Sequence, residues 1–468
     1  MKRLALILAP LLLSTSAFAQ APDPWVARGR TMLEHAINIP TVAGREKVPE
    51  LATYLAGEFR KAGWADADIH IIPYVGEADN KTAALILRWP AAGAPKSKPI
   101  LLMGHLDVVE AKREDWTIDP FVFAEKDGYY YGRGTADIKG PTVAMLTALL
   151  KLKAAGFKPK RDIVVLLTGD EETAEIGAKL AATEWRKWTD AEYGLNADAG
   201  GGAFTADGRP LGFGLQTAEK TFADYTLTVR NKGGHSSRPR PDNAIYELAH
   251  ALERIEAYRF EPAMNETTRA YYQVRQQDEK GPLGDAMRAW LKDPKDGKAA
   301  DLIEADPLEV GSTRTRCVAT LLAGGHADNA LPQLATANIN CRILPGVSPD
   351  AIRDELEKVV ADPGVVVTRR DDNVSTAASP LRPDVVGAFT DAVHARFPSA
   401  KIVPQMSAGA TDGAKFRAVG IPIYGVDGAW IISPEDERAH GRDERLPVKA
   451  FADDIDHWHR MLSRLAAQ

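Results

Sequence analysis

The 468-residue chain has only two cysteines, too few for a disulfide scaffold. Basic residues are not in excess either: 58 Lys and Arg face 64 Asp and Glu, for a net charge of −6. That balance leaves no basic surplus for gripping nucleic acid or an anionic membrane. No apolar run approaches the roughly 20 residues that a membrane span requires. Internal repeats and low-complexity tracts are also missing, and a 45% hydrophobic content excludes a disordered or collagen-like chain. What remains is a large globular protein, long enough for two or three folding units.

Lys2 and Arg3 precede the apolar stretch Leu4–Leu13, and small residues follow, ending Ala17-Phe18-Ala19. A basic start, a short apolar core and an A-x-A exit predict a secretory signal over 1–19, cleaved after Ala19, and a periplasmic or secreted protein. No cysteine lies near that exit to carry a lipid anchor, and cleavage takes the net charge from −6 to −8. Export places Cys317 and Cys341 where disulfides persist. They lie in two strand-like runs, Thr313–Leu322 and Ala335–Leu344, around the turn-rich Ala323–Pro332. A hairpin centred near Asn329 sets them roughly opposite, and both a bridge and two buried thiols stay open.

Helical patterning covers 25–62 with an interruption at Pro40, and apolar runs then alternate with helices. Strands are predicted at Ala83–Trp89, Pro99–Met103 and Asp162–Thr168, with a helix over Thr142–Ala155. This alternation predicts an α/β layer, a mixed and mostly parallel sheet with helices on both faces. Near Lys220 the texture changes. Thr221–Arg230 alternates as a half-exposed strand and leads to the helix Asn243–Tyr258. The two cysteine strands, a helix Pro349–Ala361 capped by Ser348 and the strand Val365–Arg370 then complete a split βαβ order. The expected organisation is a catalytic domain, 20–216 and 375–468, interrupted by a ferredoxin-like α+β domain, 217–374. The polar stretch 259–311 within it is long and is expected to line or shield the site.

Five motifs bear on chemistry. His105 and Asp107 end a strand, two residues apart on one face, so Asp107 can orient the His105 ring. Asp137 closes the loop Gly132–Asp137; Glu171 and Glu172 follow a buried strand; Asp198 ends a short segment before three glycines; His440 lies near the C-terminus. Singly each has an ordinary reading, as a turn residue, a helix-dipole partner or a solvated histidine. Together, two histidines and three carboxylates suit two Zn²⁺ ions with one carboxylate bridging. A further carboxylate must stay off the metals to move protons, and adjacent residues such as Glu171 and Glu172 point in different directions. His457 and His459 are read as solvated, and Gly200–Gly202 lacks the lysine of a phosphate loop.

The set GHLDVV, GRGTADIKG, GDEE, NADAGG, AHGRDE and KGGHSSRP resembles the co-catalytic zinc exopeptidases of clan MH, the family of aminoacylase, bacterial glutamate carboxypeptidase, carnosinase, acetylornithine deacetylase and succinyl-diaminopimelate desuccinylase. The resemblance runs in order from about 100 to 445. It implies one metal on His105 and Asp198, a second on Glu172 and His440, Asp137 bridging, and Glu171 as general base. Two Zn²⁺ per subunit are expected, with Co²⁺ or Mn²⁺ as substitutes. Many relatives have Glu where Asp198 stands, and the peptide after the bridging Asp137 is expected to be cis. The resemblance further implies a homodimer in which His235 reaches the partner's site and stabilises the oxyanion. Asn329, Arg342, Gly409 and Thr411 match substrate-contacting positions, Arg342 being suited to a bidentate grip on a carboxylate. The expected activity is that of a dipeptidase or carboxypeptidase acting beside a free carboxylate. The nearer alternative is an N-acyl amino acid deacylase, and the distant one a non-catalytic peptide-binding protein.

Overall fold

The structure, a computed structural model, describes residues 23–467, so the expected signal segment 1–19 lies outside it. The first helical stretch is two helices, Pro24–Ile37 and Val48–Lys61. Asp23 caps the first by accepting the Trp25 N–H at 2.9 Å, and Pro40 falls in the break, where it cannot continue a helix. The helix Lys139–Ala154 is buried on nearly every side. It packs against Pro24–Ile37 and Val448–Leu465, which explains why its sequence carries no polar stripe. Each fully buried Leu, Val or Met along it contributes about 1.5–3 kcal/mol.

Eight strands form the main sheet, in the order 69–75, 81–89, 163–168, 100–105, 193–204, 423–432, 210–219 and 402–407. The central neighbours 163–168, 100–105, 193–204 and 423–432 run parallel. Antiparallel strands Ile69–Val75 and Lys81–Trp89 complete one edge. The segment at Asp198 does not stop before its glycines as its composition suggests. The strand continues from Tyr193 to Phe204, because the glycines let it pair closely with both 423–432 and 210–219.

A second sheet is antiparallel throughout, in the order 316–324, 334–343, 221–230 and 365–369. Helices Ala244–Ala257 and Pro349–Val360 pack on it, and their buried residues share one core with Tyr225, Leu227 and Val229. Cys317 and Cys341 are direct partners in the ladder and are joined as a disulfide.

Segment 259–311 is not irregular. It forms helices Glu266–Arg275, Gly281–Lys292 and Gly297–Ile303 around their own core of Tyr272, Met287, Trp290 and Ile303. The reading of His457 is also corrected. It faces inward from the helix Val448–Leu465, fully buried, accepting from Arg396 Nη2 at 2.8 Å and donating to the Val426 carbonyl at 3.1 Å. Burial, reinforced by Arg396, pushes its pKa well down, so it is a neutral core histidine.

Candidate metal centre

Two parallel strands, 100–105 and 163–168, end side by side, next to the strand 193–204 that runs on past them. His105 pairs with Thr168, and Met103 pairs with Asn196, so two more residues of the same register bring Asp198 beside His105. The carboxyl ends of such strands are where open α/β sheets place their ligands. Gly104 is required here by close approach: a Cβ would come within 2.6 Å of Thr142 Oγ1 on the helix beneath.

His105 Nδ1 donates to the backbone carbonyl of Asp107 at 3.0 Å. The expected ring–carboxylate bond is not formed, since the Asp107 carboxylate stands 3.5 Å from that nitrogen. The strand ends at His105, so the same-face geometry of positions two apart is lost. The Asp107 carboxylate instead accepts the backbone N–H groups of Glu171, at 3.2 Å, and Glu172, at 3.0 Å. One residue therefore sets the tautomer of His105 and anchors the loop bearing both glutamates. His105 Nε2 is buried without a hydrogen-bond partner among the described residues, and it faces Asp137 at 3.5 Å, Asp198 at 3.8 Å and Glu171 at 3.9 Å.

The potential ligands fall into two triads, His105 with Asp137 and Asp198, and Asp137 with Glu172 and His440. Asp137 belongs to both. His440 Nε2 lies 2.9 Å from Glu172 and 3.2 Å from Asp137. The Asp137–Ile138 peptide is cis. The loop that presents Asp137 is held by Glu444, a residue the sequence reading passed over. Glu444 is fully buried and accepts from Arg133 at 2.6 Å and from the backbone N–H groups of Gly134, Ala136 and Asp137 at 3.1, 2.8 and 2.9 Å. Its position in AHGRDE was visible, but its partners lie some three hundred residues upstream and only the fold connects them.

The electrostatics are those of a site short of positive charge. Burial, and after it the Asp198 charge, pushes Glu171 well above the usual carboxylate range. Burial likewise raises Asp198, with the Asp137 charge adding to it. Burial acts upward on Asp137 too, but the neighbouring imidazoles of His105 and His440 outweigh it and hold its carboxyl low. Hydrogen bonds donated to the Asp137 and Glu172 carboxylates push His440 up to about 10. An orphaned imidazole nitrogen facing three carboxylates, two of them raised by burial and by neighbouring negative charge, fits a pair of divalent cations. Mixed nitrogen and oxygen donors suit zinc and its neighbours.

A cavity of about 440 Å³ opens beside Glu171, Glu172 and His440 and is lined by Arg342, Gly409 and Lys415. The Arg342 guanidinium lies over the Phe222 ring, 4.9 Å from its centroid, and donates to the Ala408 carbonyl at 3.1 Å. Lys415 was not anticipated; it lines the same cavity and pairs with Glu175 at 2.6 Å. Thr411 is buried and its hydroxyl donates to Glu219 at 3.1 Å, while Gly409, two residues before it, lines the cavity. His235 and Asn329 sit together on an exposed edge, Gly234 and His235 pairing with Leu331 and Ala330, and neither lines this cavity.

The profile of peptidase family M20/M25/M40 matches residues 101–464. Over 369 residues the chain is 30% identical to human N-fatty-acyl-amino acid synthase/hydrolase PM20D1, covering 76% of this chain and 72% of that one. The crystal structure of the M20 metallo-carboxypeptidase Sso-CP2 from Sulfolobus solfataricus superposes with a TM-score of 0.67 at 18% identity, covering 93% of this chain and 98% of that one. Bacillus subtilis YXEP, described as a dinuclear metal-binding peptidase of family M20, gives a TM-score of 0.60 at 12% identity over 95% and 99% of the two chains. The fold, the order of the motifs and the profile agree: the chain belongs to peptidase family M20/M25/M40.

Proposed function

We propose that this protein is an exported dizinc hydrolase that cleaves an amide bond beside a free carboxylate, as a carboxypeptidase- or dipeptidase-type exopeptidase or as an N-acyl amino acid deacylase. One observation carries the reading. Two ligand triads share Asp137, an unshared carboxyl, Glu171, stands beside them, and the guanidinium of Arg342 lines the same cavity. Residues 1–19 direct export, and cleavage after Ala19 leaves Gln20 as the first mature residue. A non-catalytic binding protein is disfavoured, because none of the ligands and neither glutamate is missing.

His105, Asp137 and Asp198 would hold one cation, and Asp137, Glu172 and His440 the other. When bound, such a pair supplies an acidified water and polarises the scissile carbonyl. The chain's own groups do the rest. Glu171, already raised by burial and the Asp198 charge, is suited to take a proton from water and pass it to the leaving nitrogen. The C–N bond breaks, the water oxygen joins the acyl carbon, and the amine leaves with the proton. Arg342, with Lys415 in the same cavity, orients the substrate carboxylate. Arg342→Ala is expected to lower kcat/KM about 10- to 100-fold, the loss of a charged hydrogen bond. It should also erase the preference for a free carboxylate over the C-terminal amide. An undiminished preference in that variant would remove Arg342 from the role.

The reading includes a homodimer in which His235 acts on the partner's site. Its support is that His235 is exposed and lines no cavity of its own metal centre, while the edge strand Arg316–Gly324 exposes Val318, Leu321 and Leu322. An open apolar edge is a template for pairing with another strand. Mixing inactive Glu171→Gln and His235→Ala chains after dissociation should regenerate activity, since the mixed dimer has one site with both groups intact. Absence of complementation would place His235 in cis or outside the reaction.

A further inference from the structure

The metal centre has a second neighbouring cavity, which the substrate carboxylate does not explain. It measures about 460 Å³, includes Asp198 in its wall, and is otherwise bounded by Lys220, Tyr271, Leu308, Val310 and Met406 among others. Lys220 belongs to the walls of both cavities, so the two flank the ligands from different sides.

One wall is supplied by 308–310, just beyond the third helix of the 259–311 insertion, and the segment is inside out. Glu309 is 1% exposed, whereas Leu308 is 86% and Val310 55% exposed. Water alone would arrange them the other way, apolar inward and charge outward. The inversion is held in place by Glu309, which accepts from Tyr271 at 3.0 Å, Tyr272 at 2.9 Å and Arg275 at 3.3 Å. The insertion thus spends a buried carboxylate to present two aliphatic side chains beside the metal ligands.

The charges around the cavity discriminate between occupants. Its acidic residues are Asp198, a member of a ligand triad, and Glu309, already satisfied by two phenols and a guanidinium. Its cation, Lys220, is buried and donates from Nζ to the Arg314 carbonyl at 2.8 Å. A substrate with a free α-ammonium would meet that lysine and find no unengaged carboxylate. A neutral acyl chain meets neither penalty.

We propose that this cavity receives the acyl side of the substrate, that its occupant is an uncharged apolar N-acyl chain, and that Leu308 and Val310 are specificity-determining residues. The proposal rests on the amide-hydrolase reading and narrows it to N-acyl amino acids.

The test is a binding series on zinc-loaded Glu171→Gln protein by calorimetry, with N-acetyl-, N-hexanoyl- and N-decanoyl-leucine and a dipeptide matched in size to the hexanoyl compound. Affinity is expected to rise about two- to fourfold per added methylene until the cavity is filled. The dipeptide should bind more weakly than its acyl match. Adding Leu308→Ser and Val310→Ser should flatten the length dependence while leaving N-acetyl-leucine within about twofold, which also certifies that the variant is folded. Leu308→Phe should shorten the preferred chain. An unchanged length dependence in the Ser variant, or a dipeptide that binds as tightly as its acyl match, overturns the proposal. Turnover by the Glu171-intact enzyme separates the two layers. Length-dependent binding without hydrolysis would remove the amide-hydrolase reading and leave the cavity assigned; hydrolysis with a flat length dependence would do the reverse.

Discussion

Glu171→Gln is expected to leave the fold and both metals in place while lowering kcat by about 10²–10⁴. The side chain lies 3.9 Å from His105 Nε2, close to the ligands, yet Glu171 is a member of neither triad. Glutamine preserves its volume and its contacts through the backbone, including the N–H that Asp107 accepts at 3.2 Å. It removes only the capacity to hold and release a proton. Metal analysis and kcat measured on the same preparation decide the matter. A variant with full zinc and more than about a tenth of wild-type turnover would show that another group moves the proton.

The second large effect is expected at Asp137, by contrast with Asp198. Asp137 is common to both triads, whereas Asp198 serves only the one that contains His105. Asp137→Ala should therefore weaken both metals and Asp198→Ala one. Loss of groups that merely orient a ligand costs about 10–100-fold in metal affinity, so loss of a shared ligand should exceed that. Zinc per chain after dialysis, followed by stepwise back-titration, should read near zero for Asp137→Ala and near one for Asp198→Ala. Two tightly held zincs in Asp137→Ala would refute the bridging assignment. The Asp198 variant carries added weight because that position departs from the glutamate of many relatives.

Among the candidate ligands, His105 and Glu172 were legible because each follows an apolar run that stops abruptly at polar residues, as Ile163–Thr168 does before Asp170, Glu171 and Glu172; Asp137 and His440 lie in polar loops and stood out only as part of the set. The four-stranded sheet was legible from alternation, with Tyr225, Leu227 and Val229 on the buried face. The three-helix insertion was not. Its helices are short and separated by polar turns, and the first and third carry few apolar residues; the middle one, with Leu283, Ala286, Met287, Trp290 and Leu291 at helical spacing, held a signal that the polar surroundings masked. The orientation of Thr411 was not legible: its loop neighbour Gly409 lines the cavity while the Thr411 hydroxyl turns to Glu219, and sequence cannot show which way a side chain turns from a loop. Glu444 escaped notice for a different reason: a buried carboxylate that receives backbone N–H groups looks, in sequence, like any other acid.

Glu444 also bears on how the enzyme comes into being. It holds Gly134, Ala136 and Asp137 from the opposite end of the chain, and His440, four residues before it, completes the triad with Asp137 and Glu172. A chain released before residue 440 has neither clamp nor ligand. The centre therefore forms late: synthesis must pass residue 444, and this C-terminal segment must dock, before the second triad and the loop of Asp137 are in place.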